Sequence, residues 1–237
     1  MARLISRIMR RVVGMLAVFS VAVLYSPALG AQPSADSPAL AADRWKEALG
    51  VFAAADSKQA PPPGGVLFVG SSSIRLWNDL ESQFTDAPVV LKRGFGGSRL
   101  SDCVRHLDKL VINYRPRVVV LYAGDNDLAE GATPEQVLER VKAFSGGVHE
   151  QLPDTRIAFL SIKPSPARIK LIGKVRAANR LVKEYAEEHP RVEYIDVFTP
   201  MLGQDGFPRP ELFAEDKLHL SRAGYALWRT VIRPFVR

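Results

Sequence analysis

Five short aliphatic runs, separated by longer stretches of helical periodicity, constrain this sequence more than any other feature in it. Residues 66–69, 88–91, 117–122, 156–162 and 192–197 read as strands. Between several of them, residues 98–114, 134–151 and 167–188 place apolar side chains at every third or fourth position, the spacing of helices that bury one face. A chain that alternates in this way builds a parallel sheet with helices on both faces, an α/β fold. Val118, Val119, Val120 and Leu121 carry no polar interruption, as a strand covered on both sides requires. In open sheets of this kind ligands bind at the carboxyl ends of the strands, beside a topological switch point. The residues just after each strand are therefore where chemistry is expected.

The first such segment is Gly70, Ser71, Ser72, Ser73, Ile74, Arg75. A glycine there permits a tight turn, and a serine can head the next helix, as a cap or, given a base, as a nucleophile. A candidate base stands near the C-terminus in Asp216, Lys217, Leu218, His219. Residues three apart share a face of one turn, so the carboxylate can hold one imidazole nitrogen while the other points at a serine. The same pair is equally compatible with a structural ion pair or a cap. His106, His149 and His189 have no such partner and read as surface or packing residues.

Attack on a carbonyl also needs donors for the developing oxyanion. The loop Arg93, Gly94, Phe95, Gly96, Gly97, Ser98 has bare glycines that let a backbone N–H approach a ligand closely, and Gly124, Asp125, Asn126, Asp127 offers a side-chain amide. Rival uses of the glycine loop fail on paper. A dinucleotide fingerprint from Gly94 needs glycine at the position of Arg99, and no phosphate-loop lysine motif is present. The α/β-hydrolase elbow would need glycine where Ile74 stands. With Asn126 between them and no clustered histidine, Asp125 and Asp127 read as turn-stabilising acids rather than metal ligands. Arg75, Trp77, Phe95, Arg99 and Lys163 lie near strand ends, where each either contacts substrate or serves as ordinary packing or solvated charge.

The length of 237 residues suits one catalytic domain. Cys103 is the sole cysteine, which excludes an intrachain disulfide and cysteine-based metal sites and reads as a buried thiol. At the N-terminus Arg3, Arg7, Arg10 and Arg11 precede an apolar run over 12–24 and the small residues Ser26, Ala28, Gly30 and Ala31, the layout of a secretory signal. The run is about 13 residues, against roughly 20 for a spanning helix. A signal segment over 1–30 is expected, an uncleaved anchor being its rival, followed by a Pro-, Ser- and Ala-rich lead-in over 31–40 and one folded domain over 41–237. That domain opens with a helix over 41–57 that packs on its outside. The protein is expected to be exported, periplasmic or secreted, with membrane contact only through the N-terminal segment. Removing the four signal arginines from 32 basic residues leaves 28 against 25 acidic ones, a net charge of +3 in place of +7. No basic cluster interleaved with aromatics remains, so a nucleic-acid partner is not expected.

Taken in order, Ser72, Gly97, Asn126 and His219 with their flanking residues resemble the four blocks that name the SGNH (GDSL-type) hydrolase superfamily, over about 66–228 of the chain. The resemblance implies a flavodoxin-like three-layer α/β/α sandwich with about five parallel strands. It implies a serine esterase that hydrolyses carboxylic esters through an acyl-enzyme and with no metal or organic cofactor; no long apolar lid is evident in the sequence, so short-chain acyl or acetyl groups are favoured. Its implied substrates are small-molecule, carbohydrate or lipid esters. An O-acyltransferase and a catalytically silent ester- or carbohydrate-binding module are the alternatives on the same fold. In these terms Ser72 is the nucleophile, His219 the general base and Asp216 its orienter, while the Ser72 N–H, the Gly97 N–H and the Asn126 amide form the oxyanion hole. Two departures stand out: the usual Gly-Asp-Ser is here Gly70, Ser71, Ser72, and the Asn often found before the glycine loop is Lys92.

Overall fold

The computed structural model describes residues 44–236; the expected signal segment, the lead-in and residues 41–43 lie outside the described residues. Five strands, β1 (Val66–Gly70), β2 (Val90–Gly94), β3 (Val118–Tyr122), β4 (Arg156–Leu160) and β5 (Val192–Ile195), form one sheet in the order β2-β1-β3-β4-β5, and every neighbouring pair is parallel. The chain steps from β1 outward to β2 and then crosses back past β1 to β3, which places the switch point between β1 and β3. The register makes this point useful. Val66 pairs with both Val90 and Val118, and Gly70 with both Gly94 and Tyr122, so three strands end level and their loops emerge side by side.

Alternation along each strand divides the core into two. Leu67, Val69, Val119, Leu121, Ile157 and Phe159 face one layer, and Val66, Phe68, Val118, Val120, Ala158 and Leu160 face the other. Burying an aliphatic side chain of this size contributes about 1.5–3 kcal/mol, so the buried run 118–121 is a strong determinant of where the sheet sits. The first layer is covered by α1 (Lys46–Lys58), α4 (Leu100–Arg105), α5 (Leu107–Leu110), α7 (Pro134–Gln151) and α8 (Ile172–Glu187). The second is covered by α2 (Ser72–Arg75), α3 (Leu80–Gln83) and α9 (Arg222–Ile232), with Trp77 and Trp228 fully buried against the sheet. A short helix, α6 (Asp125–Ala129), follows β3. The result is a three-layer α/β/α sandwich of flavodoxin-like strand order.

The longest helix runs over the expected residues, and its start has a clear cause. Thr133 accepts from the Gln136 N–H while the Gln136 side chain accepts from the Thr133 N–H, and Pro134 takes the first helical position. Elsewhere the boundaries move. The second strand begins and ends later than the expected 88–91 because it lies at the sheet edge, where polar residues are tolerated. There Lys92 donates to the Trp77 carbonyl, and Arg93 reaches Asp56 on α1 and the Tyr114 hydroxyl. The helix expected over 98–114 is broken into α4, α5 and a 3-10 turn at Ile112–Tyr114 that ends at Arg115 in left-handed conformation. The helix expected from 167 starts only at Ile172; Pro166 opens a 3-10 stretch over Pro166–Leu171, within which Arg168 departs from helical dihedrals. Helix α1 lies on the outside of the domain with Leu49 buried, and the Trp45 ring before it meets Phe95 edge-on at 5.1 Å. Cys103 is a buried free thiol, and burial pushes its pKa up.

Candidate active site

Gly70 ends β1 at φ 137°, where a Cβ would stand 1.8 Å from the Tyr122 carbonyl oxygen. Only glycine allows the two strands to stay this close while the chain turns into α2. Three consecutive serines follow, and the turn sorts them. Ser71 and Ser73 are buried with hydroxyls that meet no partner among the described residues, whereas the partly exposed Ser72 places its Oγ 2.8 Å from His219 Nε2. The contact joins residues 147 apart in sequence.

His219 is presented by a tight turn in which Ala214 N–H donates to the His219 carbonyl and Phe213 bridges Leu220 in antiparallel fashion. Lys217 at its tip adopts φ 57°, a left-handed conformation that a non-glycine residue takes at some expense. Asp216 organises the turn from inside. Its Oδ1 accepts from the Leu218 and His219 N–H groups, each at 2.9 Å, and its Oδ2 meets His219 Nδ1 at 2.5 Å. Burial alone raises the Asp216 pKa, but the hydrogen bonds from the His219 ring and from the two backbone N–H groups outweigh it and bring the carboxyl down from 3.8 to about 2. It is therefore a carboxylate at neutral pH, oriented to hold the imidazole with Nε2 toward Ser72. The other histidines are elsewhere: His149 meets the Thr155 carbonyl, the His189 ring lies tilted against Tyr185, and His106 Nε2 is buried with no hydrogen-bond partner among the described residues.

The loop after β2 passes through Gly97 at φ 73°, and the loop after β3 leads into Asn126 on α6. Among the described residues, neither the Ser72 N–H nor the Gly97 N–H donates to a protein acceptor. Asn126 ties the two loops together, because its Nδ2 donates to the Ser98 carbonyl at 3.0 Å while its Oδ1 accepts from Arg168 Nη2 at 2.9 Å. Asp125 pairs with Lys163 and Arg168, and Asp127 accepts from the Leu100 N–H and pairs with Arg140. Among the described residues no group of three or more His, Cys, Asp or Glu is placed to hold a metal ion.

A model of the GDSL-like Lipase/Acylhydrolase family matches residues 67–227. The chain belongs to the GDSL-like lipase/acylhydrolase family. It is an ester-bond hydrolase by that membership. The chain is 31% identical over 195 residues to platelet-activating factor acetylhydrolase IB subunit alpha1 of Bos taurus, covering 77% of this chain and 78% of the relative. Among solved structures, a Streptococcus pneumonia protein described as a platelet activating factor superposes with a TM-score of 0.73 at 22% identity, covering 85% of this chain and all of that one. A GDSL-like lipase from Bacteroides thetaiotaomicron superposes with a TM-score of 0.68 at 19% identity, covering 79% and 96%. At these identities the superpositions speak for the fold.

Of the residues read as possible substrate contacts, this acylhydrolase exposes only Arg75, whose guanidinium lies over Gly96. Trp77 and Phe95 are core, Arg99 is buried in a pair with Asp102, and Lys163 is 2% exposed and bonded to Tyr122 and Asp125. Arg168, which touches Asn126, was not singled out by the sequence. It lies in a stretch whose apolar spacing reads as helix, and its one local signal is the pair Pro164 and Pro166 just after a strand, which marks a loop at the edge of the site.

Proposed function

We propose that this chain is a serine esterase that cleaves short-chain acyl or acetyl esters through a Ser72, His219 and Asp216 triad. The observation that carries the reading is the pair of contacts on one imidazole, Nε2 to Ser72 Oγ and Nδ1 to Asp216 Oδ2. A base oriented in this way can take the hydroxyl proton as Oγ forms its bond to the ester carbonyl carbon. The carbonyl oxygen becomes an oxyanion facing the Ser72 N–H, the Gly97 N–H and the Asn126 amide, which act as its donors. Collapse expels the alcohol, which leaves with the proton from His219. Water then repeats the sequence on the acyl-enzyme: His219 takes its proton, the acid departs, and Ser72 regains its hydrogen. Asp216 remains ionised throughout and stabilises the transient imidazolium.

Preference for a short acyl group is supported by the acetylhydrolase name of the relative at 31% identity. The basic and apolar N-terminal segment supports export, which brings cell-envelope, carbohydrate or lipid esters within reach. Turnover of p-nitrophenyl acetate by the purified protein and by Ser72→Ala tests the reading. The variant is expected to lose activity by at least about 10³-fold. Equal rates would reject Ser72 as the nucleophile.

A further inference from the structure

Asn126 is asked to present an N–H to a developing charge, and a carboxamide is a poor device for this unless something decides which end faces which way. Its oxygen and nitrogen are nearly the same size, so only hydrogen bonding can tell them apart. Arg168 supplies that distinction. A guanidinium can only donate, so the Arg168 Nη2 contact at 2.9 Å fixes the atom it touches as Oδ1. Nδ2 is thereby turned the other way, where one hydrogen is taken by the Ser98 carbonyl at 3.0 Å and the second is left for a ligand.

Arg168 is itself held by buried charge. Its Nη1 lies 3.0 Å from Asp125 Oδ2, which also takes Lys163 Nζ at 3.0 Å, and Lys163 donates onward to the Tyr122 hydroxyl at 3.0 Å. Burial opposes ionisation of both partners, yet the attraction between them prevails: Lys163, and then Arg168, hold the Asp125 carboxyl low, and Asp125 holds the Lys163 ammonium high. Asp125 and Lys163 are therefore both charged, a guanidinium carries its charge at any assay pH, and two cations on one carboxylate leave a net positive charge beside Asn126. Withdrawal of electron density through Oδ1 makes the remaining N–H a stronger donor. The same turn also steadies the base, because the Ala167 N–H donates to the carbonyl of Lys217, the left-handed residue at the tip of the His219 turn.

We propose that Arg168 is a positioning residue for oxyanion stabilisation, acting through Asn126: it fixes the orientation of the Asn126 carboxamide and strengthens the N–H that this amide donates to the reacting carbonyl. The proposal rests on the reading of Ser72 as nucleophile and Asn126 as oxyanion donor. It differs from a substrate-binding arginine, which would act on KM, and from a merely structural arginine, whose loss would add to that of Asn126.

A double-mutant cycle on p-nitrophenyl acetate separates these cases, with Asn126→Ala, Arg168→Ala, the double variant, Arg168→Lys and Ser72→Ala assayed together and their thermal midpoints recorded. Asn126→Ala is expected to lower kcat roughly 10²- to 10³-fold, the range for loss of one oxyanion donor. Arg168→Ala is expected to lower kcat roughly 10- to 100-fold with little change in KM, as for loss of a hydrogen bond from a charged donor. In the Asn126→Ala background the same change should have almost no further effect. Arg168→Lys keeps a cation with N–H donors on a single atom, so it should fold as the wild type does and recover part of kcat; this arm stands even if Arg168→Ala is poorly folded. The proposal is overturned by a wild-type kcat in Arg168→Ala, by a loss confined to KM, by an undiminished loss in the Asn126→Ala background, or by no recovery in a folded Arg168→Lys. If Ser72→Ala retains full activity, the underlying reading of the site fails; if Ser72→Ala and Asn126→Ala are impaired while Arg168 is dispensable, only this inference does.

Discussion

Asn126 belongs to a buried network of charges, in which Asp125 and Lys163 have side chains only 10% and 1% exposed, whereas the Asp216 carboxylate that holds His219 is 49% exposed and leans on its own turn. Both arrangements direct a polar group toward the surroundings of Ser72. They depend on the rest of the molecule in opposite ways. The buried side is tied to three different strand ends, through Tyr122 at the end of β3, Lys163 after β4 and Ser98 after β2, so removing a charged member of it is expected to cost stability. The base side is a hydrogen-bonded surface turn within 213–220, anchored elsewhere by the Ala167 N–H and by Ser72 itself. Activity and stability should therefore be linked on the first side and separable on the second.

Replacing His219 by Ala offers the widest separation. Loss of the proposed general base is expected to lower kcat on p-nitrophenyl acetate roughly 10⁴-fold or more while the urea midpoint stays at the wild-type value. A matched drop in stability would show that the turn supports the fold and would break the contrast. On the buried side, Asp125→Ala leaves the Lys163 and Arg168 cations without their common partner. Removing one member of such a buried cluster costs about 3–5 kcal/mol, which urea unfolding would record alongside a fall in kcat. Wild-type stability in that variant would mean that the cations find water or another acceptor, and the network would lose its structural role.

The smallest effect concerns pH. The Asp216 carboxyl, lowered from 3.8 to about 2, favours the folded state above pH 3.8, and that contribution fades as the pH falls toward 2. Because the side chain is half exposed, solvent screens much of it, and the thermal midpoint of Asp216→Asn should match the wild type closely at neutral pH. With Asp216 ionised throughout the assay range and adding no titration of its own, the acid limb of kcat/KM should have a slope of one. A limb of slope two would place a second titrating group in the site.

What the sequence made legible follows the same division. Asp216 and His219 stand three residues apart, so their relation is local and can be read directly, and 134–151 could be delimited because Pro134 and an unbroken apolar repeat mark its extent. The parallel sheet and the position of the site just after its strands followed from the alternation, although β2 itself starts two residues and ends three residues later than expected because an edge strand accepts Lys92 and Arg93. The buried network was opaque. Arg168 meets Asn126 across 42 positions and Lys163 meets Asp125 across 38, and a lone cation in a sequence gives no sign of whether it will be solvated or enclosed. Lys163 read as a possible substrate contact for that reason, and its burial became visible only once β4 was placed beside β3.

In the proposed triad, one serine of three adjacent ones is made nucleophilic by His219. Labelling with a fluorophosphonate, followed by peptide mass spectrometry, addresses it directly. A single adduct on Ser72 is expected, absent from Ser72→Ala and formed far more slowly in His219→Ala. An adduct on Ser71 or Ser73, or labelling at an unchanged rate without the imidazole, would contradict it.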